Sequence, residues 1–270
     1  MTLHILPDLV QGSEAWHDQR RGLVTASVVG KLLTVRKLGA LDFDCSNCGA
    51  TATNPCLNKR TGEPIKTLHS ERTPSAEQKT TVIEPASNDE SRGLTATLAA
   101  ERANGFTDPT YVSDDMFRGI EEEPIARDLY SLHHAPVTEV GFLVRDFDGF
   151  RIGCSPDGLV GDDGLIEIKS RRSRKQMQTV LMDSVPIENV AQCQAALLVS
   201  GRQWLDYVSY SAGMALWVKR IYPDLRWHKA ITSAVRAFEA NATEMVARYK
   251  ESTRGMPMTE RVIFDEIQVA

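Results

Sequence analysis

The run CSPDGLVGDDGLIEIKS, residues 154–170, sets Asp157, Glu167 and Lys169 among apolar residues that otherwise spell two strands joined by a glycine-rich turn. In a strand over LIEIK the side chains alternate, so Ile166 and Ile168 take one face while Glu167 and Lys169 share the other. Pro156 has no N–H to give a central ladder and Gly158 lets the chain diverge, which presents Asp157 at a strand end beside Glu167. Two carboxylates converging there repel one another unless a divalent cation neutralises them, and hard oxygen ligands suit Mg2+ or Mn2+. Lys169 can hold or polarise a water beside such a metal. The alternative is a surface hairpin with ordinary charges, and the apolar flanks argue against it. A fourth group comes from RGIEEEPIARDLY: read as a helix, it puts Ile120, Glu123, Arg127 and Tyr130 on one stripe facing the body of the protein, with Glu121 turned away.

A second constellation uses softer ligands. Cys45 and Cys48 form a C-x2-C pair, Cys56 follows after seven residues and His69 after twelve more, a Cys3His set suited to tetrahedral zinc. Four protein ligands imply a closed, structural site. Gly49 permits the positive φ of a knuckle turn, and KRTGEP reads as a tight turn between two short arms. The competing reading is three free thiols in a loop beside a chance histidine. Cys154 and Cys193 stand alone in apolar surroundings and read as small buried hydrophobes.

These groups need a scaffold. The chain has 270 residues, 42% apolar and 25% charged, enough for one large domain or a domain with an insertion. TASVVGKLL reads as the start of a helix capped by Thr25 or Ser27, RGLTATLAAERAN as a second helix, and SDDMFRGIEEEPIARDLYSLHH as a third capped by Ser113. PVTEVGFLVRD, FRIGCSPDGLVG and GLIEIKSR give three strands in succession. IENVAQCQAALLVS is a helix behind Pro186 that stops at Gly201; WLDYVSYS and ALWVKRIYP add two strands, and ITSAVRAFEANATEMVARYKE a long closing helix. The expected class is α/β, with helices around a central mixed sheet. Residues 40–75 are poor in large apolar side chains and read as an inserted Cys3His module, with 76–90 as a linker. No apolar run approaches the roughly 18–20 residues of a membrane span, and the amino terminus lacks the features of a signal peptide, which predicts a cytoplasmic protein with no membrane contact. Net charge is −5, so any nucleic-acid surface must be local. KSRRSRK, residues 169–175, is one candidate, although such a run is more often a solvated face.

A Pro-Asp pair, nine residues and then Glu-x-Lys is the PD-D/ExK nuclease pattern, and the chain resembles the phage lambda exonuclease family, also called YqaJ-like viral recombinases or alkaline exonucleases. WHDQRRGLVTAS, GIEEEPIARDLY, GCSPDGLVGDDGLIEIK and VAQCQ carry the likeness, in the family's order, over residues 12 to about 210 apart from the cysteine insertion. The resemblance implies a restriction-endonuclease-like core over residues 1–270, interrupted by the zinc-knuckle insertion. It makes Glu123, Asp157 and Glu167 ligands for two Mg2+ or Mn2+ ions, and Lys169 the catalytic lysine. The family's helix glutamine falls on Gln194, which shares a face with Val190 and Leu197, while Gln192 points elsewhere. Arg20 and Ser27 match positions that grip a terminal 5′ phosphate. The implied activity is 5′-to-3′ degradation of one strand of duplex DNA from a free end, in phage-type recombination. The implied partners are two further copies in a ring-shaped trimer and a single-strand annealing protein. A PD-D/ExK endonuclease or repair nuclease, and a non-catalytic DNA-binding module using the zinc knuckle, remain as alternatives. The cysteine-histidine insertion departs from the lambda-type pattern.

Overall fold

The computed structural model describes residues 1–72, 81–109 and 111–261. Along the chain, β1 (Thr2–Leu6) and α1 (Glu14–Arg20) lead into β2 (Leu33–Lys37). After the cysteine segment come β3 (Thr81–Pro85), α2 (Asp89–Asn104) and α3 (Asp114–His133). Then follow β4 (Val137–Thr138), β5 (Phe142–Phe147), β6 (Phe150–Cys154), β7 (Gly158–Val160) and β8 (Gly164–Ser170). The chain closes with α4 (Ser173–Met182), α5 (Ile187–Ser200), β9 (Trp204–Tyr210), β10 (Trp217–Ile221) and α6 (Leu225–Ser252).

The strand bearing Glu167 and Lys169 is central. A five-stranded sheet runs β10-β9-β8-β7-β4, with β8 and β9 parallel across the α4–α5 crossover and every other pair antiparallel. Helices cover both of its faces, as expected for a sheet containing a parallel pair. Ile166 and Ile168 pack against Ala126 and Tyr130 of α3, whereas Leu165 joins the main core with residues of α5 and α6. Complete burial of an isoleucine contributes on the order of 1.5–3 kcal/mol, so the alternation of β8 also fixes its register. Glu167 must therefore face the α5 side.

Two smaller sheets complete the frame. β1-β5-β6 is antiparallel, and β2 pairs with β3 as a ribbon that packs on α6. The caps of α3 and α5 follow the sequence reading: the Ser113 side chain accepts the Met116 N–H, and Gly201 ends α5 at φ +73°.

Several elements differ from expectation. TASVVGKLL makes only a single 3-10 turn, Val29–Leu32, because Thr25 bridges to Gly153 of β6 and Leu33 already begins β2. FRIGCSPDGLVG is two strands in two sheets, broken at Ser155–Asp157 by the proline. In the expected linker, residues 76–80 lie outside the described residues, 81–85 form β3, and α2 starts at Asp89 behind an Asn88 capping box. KSRRSRK spans the end of β8 and the first turn of α4. The chain thus leaves the body on β2 and returns on β3, with the cysteine segment between them.

Candidate active site and zinc-type module

Asp157 is set by the break between β6 and β7. β7 pairs with β8 only from Gly158 onward, and the Ile168 N–H beyond that point is taken by Asp157 Oδ2 at 2.5 Å. The side chain thereby replaces a missing ladder partner and comes to lie beside Glu167 and Lys169. On the other side, the Asp157 carbonyl accepts from Arg127 Nε at 2.8 Å. The same guanidinium donates from Nη2 to Glu123 Oε1 at 2.5 Å and pairs through Nη1 with Glu139 at 2.9 Å. Glu167 is buried, and its Oε1 accepts from Lys169 Nζ at 2.6 Å and from Gln192 Nε2 at 2.5 Å.

Three carboxyls, a lysine and a glutamine therefore converge. Burial first, then Glu167 and Glu123, hold the Asp157 carboxyl well above the ordinary carboxylate range. Burial also pushes the Glu123 carboxyl up; Arg127 pulls it back and Glu167 adds to the rise. Burial works against the Lys169 ammonium, but Glu167 and Asp157 outweigh it and its pKa lies above the usual lysine value. Such mutual repulsion marks a place where cationic charge is wanted. Carboxylate oxygens on three elements are the donor set that a hard divalent ion prefers.

The carboxyl cluster opens into a cavity of about 470 Å³ that is also lined by Trp16, Arg20, Thr25 and Ser27. The Arg20 guanidinium sits 4.0 Å from the Trp16 ring centroid, and its Nη2 donates to Thr25 Oγ1 at 3.4 Å and Ser27 Oγ at 3.3 Å. Burial lowers the Arg20 pKa without threatening its charge. Trp16 in turn donates to Ser155 Oγ at 2.9 Å, two residues before Asp157, and so ties the Arg20 side of the cavity lining to the segment that carries Asp157.

One expected site residue is displaced. Gln194 is buried away from the cavity; it donates to the Tyr222 carbonyl and accepts from the Asp224 N–H, joining α5 to the start of α6. Gln192 is the glutamine that lines the cavity and touches Glu167. Stripe reasoning fails here because α5 is buried on almost every side, and the glutamine at the site is the less buried of the two. Arg127 appeared in the sequence only as a stripe position. Nothing in its spacing marked it as the link between Glu123 and Asp157.

The ligand atoms of Cys45, Cys48, Cys56 and His69 all lie within 4.8 Å of one another, which fits a zinc knuckle. Gly49 takes φ +73° and its N–H donates to the Cys45 carbonyl, forming the anticipated turn. The Leu57 N–H donates to Cys48 Sγ at 3.3 Å and the His69 N–H to Cys56 Sγ at 3.4 Å. Chiefly through the Leu57 N–H, the Cys48 thiol is pulled down to about 6, whereas burial pushes Cys45 up. Arg72, buried and not anticipated from sequence, donates to the carbonyls of Thr51, Asn54 and Phe43 and holds the arms together.

Residues 70–203 match the family described as YqaJ-like viral recombinase domain. That stretch, just under half of the chain, is similar to YqaJ-like viral recombinase domains. The YqaJ-like region holds Glu123, Asp157, Glu167, Lys169 and Gln192; Arg20, Ser27 and the four zinc-type ligands precede it. Among solved structures, LHK-Exo, an alkaline exonuclease from Laribacter hongkongensis, aligns with a TM-score of 0.63 at 26% identity, over 91% of this chain and 100% of its own. LHK-Exo in complex with dAMP gives 0.64 at 26% identity with the same coverage of both chains. A phage related exonuclease from Haemophilus somnus aligns at 0.43 and 13% identity, over 60% of this chain and 85% of that one. None of the curated proteins matches. The chain has an α/β fold of the PD-D/ExK exonuclease kind, with the expected mixed sheet flanked by helices.

Proposed function

We propose that the protein is a metal-dependent exonuclease that degrades one strand of duplex DNA from its 5′ end, in phage-type homologous recombination. One observation carries this reading: a single cavity is lined both by the Glu123, Asp157, Glu167 and Lys169 cluster and by Arg20 with Ser27. Two Mg2+ or Mn2+ ions held by the three carboxylates would supply Lewis-acid stabilisation of the attacking and leaving oxygens in an in-line displacement. Lys169 Nζ, a cation anchored on Glu167, donates a hydrogen bond that orients the attacking water. Gln192 and Lys169 together fix the Glu167 carboxylate, and Arg127 fixes Glu123 and the Asp157 backbone. Arg20 and Ser27 suit the phosphate at a 5′ terminus, since a guanidinium and a hydroxyl give charge-assisted contacts to its oxygens. That contact sets the polarity of degradation. LHK-Exo has been solved with dAMP, a mononucleotide of the kind an exonuclease releases. The cysteine set would hold one structural Zn2+, separate from the catalytic ions. A homotrimeric ring around DNA and hand-off of the exposed strand to an annealing protein belong to the same reading and rest on the family likeness alone.

The test is Lys169→Ala. We expect cleavage of linear duplex to be lost while circular dichroism and thermal unfolding stay near wild type. Turnover close to wild type would remove the lysine from the mechanism and the PD-D/ExK assignment with it.

A further inference from the structure

The catalytic reading leaves the cysteine module without a task. It is self-contained: among the described residues, the hydrogen bonds made by residues 43–72 stay within 40–72. Its apolar cluster is likewise its own, built from Cys45, Cys48, Ala50, Cys56, Leu57 and Ile65. A unit that shares none of its polar contacts with the nuclease core is not there to stabilise that core.

What it displays is a hydrogen-bonded hairpin whose exposed charges are three cations, Lys59, Arg60 and Lys66, against one carboxylate, Glu63. Leu57 and Pro64 form an antiparallel bridge, and the Asn58 side chain accepts the backbone N–H of Arg60 at 2.9 Å and of Thr61 at 3.3 Å. Gly62 turns the chain at φ +72°, and its N–H donates to the Asn58 carbonyl at 2.8 Å. Lys59 and Arg60 are exposed at this tip, and Lys66 is exposed just beyond it. None of the three forms an ion pair with a carboxylate among the described residues. Leu57 and Ile65 anchor both arms to the metal set, so the tip is held without covering its charges.

Composition says what such a tip can grip. Residues 44–72 contain no Phe, Tyr or Trp, so there is no platform on which unpaired bases could stack. Leu68 is the one exposed large apolar side chain among them, which leaves no anchor for a protein interface. Phosphates need neither. We infer that the cysteine module grips the backbone of duplex DNA through Lys59, Arg60 and Lys66, giving the nuclease a second hold on its substrate. This rests on the proposed nuclease function.

The experiment measures fluorescence anisotropy of a short blunt duplex, and of the matching single strand, in Mg2+-free buffer without chelator across a salt series. Wild type is compared with the triple variant Lys59→Ala, Arg60→Ala, Lys66→Ala. We expect duplex affinity to fall several-fold and the slope of log affinity against log salt to lose nearly three, at about 0.9 per phosphate contact. Zinc content and cleavage at saturating duplex should not change. An unchanged duplex affinity and slope, in a chain that still digests duplex, would overturn the inference and leave the nuclease reading standing. An equal loss on single strand would overturn the duplex assignment. A wild-type chain that neither binds nor digests duplex would remove both.

Discussion

Asp157 accepts the Ile168 N–H while standing beside two other carboxyls, so the metal-free fold carries repulsion at the very point where its backbone is held. A carboxyl whose pKa is raised on folding binds its proton more tightly in the native than in the unfolded chain. Stability from Asp157 and Glu123 is therefore greatest below the unfolded carboxylate pKa, about 4, and is lost as pH rises towards their raised native values. Two outcomes follow. Asp157→Asn should abolish cleavage yet raise the melting temperature of the metal-free protein at pH 8, because the amide keeps an acceptor for Ile168 without the charge. Mg2+ should raise the wild-type melting temperature more at pH 8 than at pH 5, where protons already neutralise the pair; equal shifts at both would contradict this account. Arg127→Lys cannot serve Glu123, Asp157 and Glu139 together, and should raise the Mg2+ requirement by about 10- to 100-fold, as loss of a ligand-orienting partner commonly does. A magnesium titration of the initial rate reads it. At this scale Asp157, Glu167 and Lys169 are legible because a strand's period of two forces polar groups onto a defined face. Gln192 is not, since a helix buried on almost every side past its first turn leaves no clear stripe to read.

The helices and strands that hold these residues show where local signals suffice. Ser113 and Gly201 end their helices as caps should, because their signals lie within one turn. β3 was hidden in polar sequence, since its pairing with β2 spans the whole insertion and no local pattern announces a partner so far along the chain. The break of FRIGCSPDGLVG into two sheets is likewise a tertiary event, although Pro156 marks the place. The cysteine module is the reverse case. Its spacing alone brought four ligands together, while Arg72, which braces it by donating to three carbonyls, carried no sequence signal. With so small an apolar cluster the module should depend on a bound metal for its fold. Protein purified without added metal should contain close to one zinc per chain, and Cys48→Ser should lose it and unfold the segment locally, with the main unfolding transition unmoved. Zinc near zero in wild type, with three freely titrating thiols in the segment, would show the cysteines to be loop residues.

For the whole molecule, net charge is −5, so attraction to DNA has to come from placement rather than total charge. Arg20 lines the cavity of the carboxyl cluster and the Lys59–Arg60 tip lies on the module between β2 and β3, the two separate positions proposed for phosphate. No helix among the described residues is long and apolar enough to cross a membrane. Along the chain Arg20 and Ser27 come first, the module is let into the ribbon, and the carboxyl cluster comes last, on α3 and on the sheet that α3 and α5 enclose. What tests the central claim most directly is digestion in Mg2+ of one duplex sequence in three forms, linear with 5′ phosphate, linear with 5′ hydroxyl, and covalently closed circular, with each strand end-labelled in turn. We predict that the 5′-phosphorylated duplex is degraded fastest and from its 5′ ends, that the circle survives, and that Arg20→Ala narrows the gap between the two linear forms by removing a charge-assisted contact of about 1.5–3 kcal/mol. Cleavage of the circle, or equal rates on both linear ends in the wild type, would contradict it.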